Sequence, residues 1–170
     1  MFGAHGNPAG SRRNSLIVSD FRYSTSQFRG SKNFSVGAWY VCNQNQSSGQ
    51  HYAYGCKLDY PNDLWDINFL YNHYGDAMEP ALGYIRRTAA RGVSTNMQYM
   101  PRPLNGWWGA LIRQWFFWVS QSIYWDLSGQ LENHYLAVCP FSARSEGGHY
   151  FGVYLARDVD VFKEPFEVAN

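Results

Sequence analysis

Trp107–Trp125, WWGALIRQWFFWVSQSIYW, is the stretch whose reading decides the fold. It holds five of the chain's seven tryptophans. Each buried aromatic removes roughly 150–250 Å² from water, so no other segment can bury as much apolar surface. Read at period two, Leu111, Trp115, Phe117, Val119, Ile123 and Trp125 share one face, with Arg113 and Gln121 as exceptions. Read at helical spacing, Trp108, Leu111, Trp115, Val119 and Ile123 form a stripe. Periodicity alone does not separate the two. The β-branched and aromatic content from Trp115 onward favours a strand, which is placed at the centre of the core. Trp115, Phe117 and Trp118 are its candidate core residues. Arg113 and Gln114 break the apolar run well short of the roughly 20 residues a membrane helix needs, so no membrane span is expected.

Outward from this stretch, apolar residues alternate. Phe34, Val36, Ala38, Tyr40 and Cys42 fall on one face of a strand over 33–42, and 50–58 runs back as its partner. Trp65, Ile67, Phe69 and Tyr71 alternate with Asp66 and Asn68. Phe151, Val153, Leu155, Val159 and Val161 point inward from a last strand, with Tyr150 and Tyr154 on its other side. One helix is expected over 76–91, with Asp76 as N-cap, Glu79 three residues on and Gly92 beyond its end. The pattern predicts an all-β, mainly antiparallel fold, a β-sandwich or jelly roll of about eight strands with that one helix. Residues 16–162 form a single domain. Residues 1–15 read as an extended arm broken by Gly3, Gly6, Pro8 and Gly10, and 163–170 as a tail.

The chain has 170 residues and a net charge of +1, which argues against nucleic acid as a partner. Charged residues are 16% and aromatic residues 18%. The first residues contain no apolar h-region, so no secretory signal peptide is expected. Cys42, Cys56 and Cys139 make an odd count, which argues against a disulfide framework. Four histidines precede a tyrosine, at His51, His73, His134 and His149, but none has local ligand spacing, so no metal or other cofactor is expected. No serine lies in a nucleophile elbow, and no set of residues fills the roles of an active site. The chain is therefore read as non-enzymatic.

Two functional classes follow. The first is a structural or recognition protein of a larger assembly: a virion or phage component such as a tail fibre, receptor-binding or capsid-associated protein. It would be made in the cytoplasm and partnered by copies of itself and other subunits. In this reading Phe2, Arg12 and Arg13 dock the arm on a neighbour. The second is a carbohydrate-binding module or carbohydrate-active enzyme, with a cell-surface glycan as partner. Trp39, Tyr52, Tyr54, Tyr150 and Tyr154 are the candidate ligand-binding residues for either a glycan or a protein partner. Asp158 and Asp160, on the outward face of the last strand, are a candidate carboxylate pair.

Overall fold

The structure is a computed structural model and describes residues 2–6, 14–44, 49, 51–78, 87–103 and 105–161. Ten strands run in chain order: β1 (Phe2–Gly6), β2 (Asn14–Phe28), β3 (Lys32–Gln44), β4 (Tyr52–Pro61), β5 (Trp65–Tyr74), β6 (Ala90–Tyr99), β7 (Ile112–Trp115), β8 (Phe117–Asp126), β9 (Leu131–Ser145) and β10 (Tyr150–Asp160). One helix, α1 (Trp107–Leu111), precedes β7. The all-β, antiparallel class expected from alternation is the class observed. All the strands belong to one sheet, ordered β1-β2-β3-β4-β5-β6-β8-β9-β10, with β7 paired to the end of β9. Apart from β7, which lies between β6 and β8 in sequence and pairs with β9, each described strand bonds the next along the chain, so the described strands form a meander without a Greek-key crossover.

The tryptophan-rich stretch divides between its two readings. Trp107–Leu111 is helical, and Phe117–Asp126 is a strand seated between β6 and β9. Trp107 and Trp108 are exposed, while Trp115, Phe117 and Trp118 are half-buried. Among the described residues the buried apolar set is mostly small, Ala53, Ala90, Ala137, Cys139 and Ala143, with Met78 and Ile112 the large members.

The helix expected over 76–91 is corrected at its C-terminal end. Residues 87–89 are not helical, and β6 begins at Ala90 and pairs with both β5 and β8. Asp76 Oδ1 accepts from the N–H of Ala77, the next residue. Residues 79–86 lie outside the described residues. So do Arg12, Arg13 and the tail over 163–170. Phe2–Gly6 is not an irregular arm but strand β1, paired with β2 from Phe2↔Val18 to Gly6↔Asn14.

Register fixes which residues share a face. On one side a single row runs Tyr60, Ile67, Met97, Val119, Val138, Leu155 across six strands. The adjacent row on the other side runs Ser35, Asp59, Asn68, Asn96, Ser120, Ala137, Ala156. Along these two rows one side is apolar and the other polar or small. The contrast comes from period-two alternation held in register over the whole meander.

Candidate functional site

The sheet curls toward its polar face. Asn72 on β5 and Asp160 on β10 line one cavity of about 690 Å³. In a flat sheet these strands would stand four spacings, about 19 Å, apart. Two glycines permit the curl. The row Trp39, Gly55, Asn72, Gly92, Tyr124, Asn133, Asp160 crosses seven strands on the polar face. A Cβ on Gly55 would stand 2.5 Å from the Tyr71 carbonyl oxygen and 2.6 Å from Trp39 Nε1. One on Gly92 would stand 2.5 Å from the Tyr124 ring. Large rings lie along the sheet over positions that carry no side chain.

Within this trough Tyr135 pairs with Ser122 on one side and Asp158 on the other, and Asn133 with Tyr124 and Asp160. Asn133 Nδ2 donates to Asp158 Oδ1 at 3.2 Å and to Asp160 Oδ1 at 2.7 Å. The Arg87 guanidinium lies 5.2 Å from the Tyr124 ring centroid and 3.8 Å from Glu132 Oε2. At the end of β8, Asp126 Oδ1 accepts from Ser128 Oγ and from the Gln130 N–H in the turn that joins β8 to β9.

The convex face carries exposed apolar side chains. Phe21 is 62% exposed, Val153 60% and Leu155 69%. Aromatics gather toward the strand ends. Phe28, Tyr60, Trp65, Tyr99 and Phe117 stand near one end, with Phe28 against Tyr60, Trp65 against Tyr99 and Tyr99 against Phe117. Tyr40, Tyr52 and Tyr54 stand near the other, stacked in sequence. His73 is buried among these, its ring 5.7 Å from Tyr52 and 4.7 Å from Tyr54.

The ligand-binding residues expected from sequence do not form one site. Tyr52 and Tyr54 lie on the convex face. Trp39 lies on the concave face, 6.0 Å from Tyr74 at the rim of the trough. Tyr150 packs beside Phe116, and Tyr154 beside Trp118, at the other end of the concave face. Asp158 and Asp160 do share a face, as alternation implied. Their neighbours are Tyr124, Tyr135 and Asn133, which sequence reasoning missed. Ser122 and Tyr124 alternate with Ile123 in a legible way, but their meeting with Asp158 depends on the β8–β9–β10 register. Cys42, Cys56 and Cys139 are free thiols. Among the described residues no helix is long and apolar enough to cross a membrane, and no group of three His, Cys, Asp or Glu side chains is placed to hold a metal ion. No family model, curated protein or solved structure matches the chain.

Proposed function

We propose that the chain forms part of the wall of a membrane β-barrel, with its convex face against lipid and its concave face toward an aqueous lumen. The observation that carries this is the pair of adjacent rows, one apolar and running from half-buried Tyr60, Ile67 and Val119 to exposed Met97, Val138 and Leu155, the other polar or small. In water an apolar row left this uncovered is unfavourable, because a soluble sheet turns its polar side outward. In lipid the same alternation is what a barrel wall requires. Strand length fits. Strands β4, β5, β6 and β8 have 10 residues each and β10 has 11. A strand of about 9–11 residues, tilted, spans the hydrocarbon core. The aromatic clusters at both strand ends match the girdles that sit at the two interfaces. The meander supplies backbone partners for every interior strand, as the absence of water in lipid demands. The reading also requires that the outer edges of β1 and β10 bond each other or further strands.

The test is quenching of tryptophan fluorescence by lipids brominated at defined acyl depths, after the chain is refolded into vesicles. Quenching that reaches tryptophans of the convex face, with co-flotation of protein and vesicles, is the expected result. A chain that stays in the aqueous fraction and is not quenched would exclude the membrane reading.

One observation favours a second reading. Gln121, His134 and Arg157 share the convex face near β10, with Gln121 Nε2 3.2 Å from His134 Nε2. Polar groups of this kind suit a protein neighbour better than lipid. A stable oligomer in detergent-free buffer, seen by sedimentation, would support a subunit of an assembly such as a virion component.

A further inference from the structure

We propose that the trough between β5 and β10 binds a neutral saccharide. The inference concerns the concave face and does not rest on what covers the convex one. Volume comes first: about 690 Å³ lies within the range of small-ligand sites, which runs from about 300 to 1,000 Å³. The lining alternates aromatic and hydrogen-bonding side chains in the order a pyranose needs. Tyr74 and Tyr135 line the trough and supply aromatic surface for the apolar C–H side of a sugar. Asp158, Asp160 and Asn133 stand beside them in register. Asn133 engages one oxygen of each carboxylate. The second oxygen of each has no hydrogen-bond partner among the described residues and is free to accept from a pair of sugar hydroxyls.

Charge selects the class of sugar. Among the lining residues Asp158 and Asp160 outweigh Arg87, which is itself drawn toward Glu132 beside the trough. The trough is negative, so phosphate esters and acidic sugars are repelled and a neutral polyhydroxylated ligand is favoured. Gly92 matters here too. It lets the Tyr124 ring lie against the sheet instead of standing up into the space.

The full chain, folded in a detergent without a sugar headgroup, is titrated calorimetrically with maltotriose and cellotriose. Saturable binding of at least one is expected. Tyr135→Ala and Asp158→Asn should each weaken it tenfold or more, Tyr135→Phe should retain most of it, and Tyr52→Ala on the convex face should leave it unchanged. Asp158 is exposed, so Asp158→Asn is expected to fold as the parent does, with circular dichroism as the check. The proposal is overturned if neither trisaccharide binds saturably, if Asp158→Asn binds as the parent does, or if calcium gives the only saturable titration. None of these outcomes bears on lipid quenching of the convex face, so the two readings fail separately.

Discussion

Leu155→Arg is expected to destabilise the chain in lipid vesicles by about 2–4 kcal/mol, the cost of an arginine on the lipid face near the bilayer midplane. Leu155 lies in the middle of β10 and is 69% exposed, at the end of the apolar row from Tyr60. The size of the effect depends on the solvent alone. On a water-facing surface a side chain this exposed can be exchanged at a cost within about 0.5 kcal/mol. Ala156→Arg is the matched control. Ala156 is the next residue, also exposed, at the end of the polar row, and an arginine there faces the lumen. Urea unfolding in phosphatidylcholine vesicles, followed by tryptophan fluorescence, should show a large loss for Leu155→Arg and a small one for Ala156→Arg. Equal effects would mean that the two faces meet the same medium, and the barrel-wall reading would fall.

This contrast also shows what was legible in the sequence. Alternation assigned Phe34 to Cys42, Trp65 to Tyr71, and Phe151 to Val159 to common faces, and the register keeps each set together. Alternation says nothing about what lies beyond a face. The inward direction given to those residues assumed that apolar means covered by the chain's own core, yet Tyr40, Val153 and Leu155 are exposed. The one-sheet meander was equally out of reach, since strand order depends on which edges pair. The helix expected over 76–91 failed in its last turn for a local reason. Ala90 and Arg91 have ladder partners on both sides, Tyr74 and His73 on β5 and Asp126 and Trp125 on β8, and pairing overrides helical spacing. For the trough, the carboxylates were visible as a pair, but the tyrosines that give the pair a use come from strands far away in sequence.

Curvature carries the second large effect. Gly55→Ala is expected to destabilise the chain by about 1–3 kcal/mol, the range for overpacking a filled site. The obstacle is partly backbone: the added methyl would stand 2.5 Å from the Tyr71 carbonyl oxygen, which is held in the β4–β5 ladder. Removing the Trp39 ring with Trp39→Ala should therefore not rescue it. Gly92→Ala meets a different obstacle. Its methyl would strike only the Tyr124 ring, at 2.5 Å, and a side chain can turn away. Gly92→Ala should cost less, and Tyr124→Ser in the same chain should recover part of the loss. The opposing gain from a stiffer unfolded chain, about 0.4–1 kcal/mol for glycine to alanine, is the same at both sites and cancels in the comparison. Chemical denaturation of the parent, the two single alanine variants and the two rescue pairs decides the matter. If Trp39→Ala restores Gly55→Ala fully, the close approach is between side chains only. The β4–β5 backbone then does not set the curl, and the trough depends on how Trp39 packs.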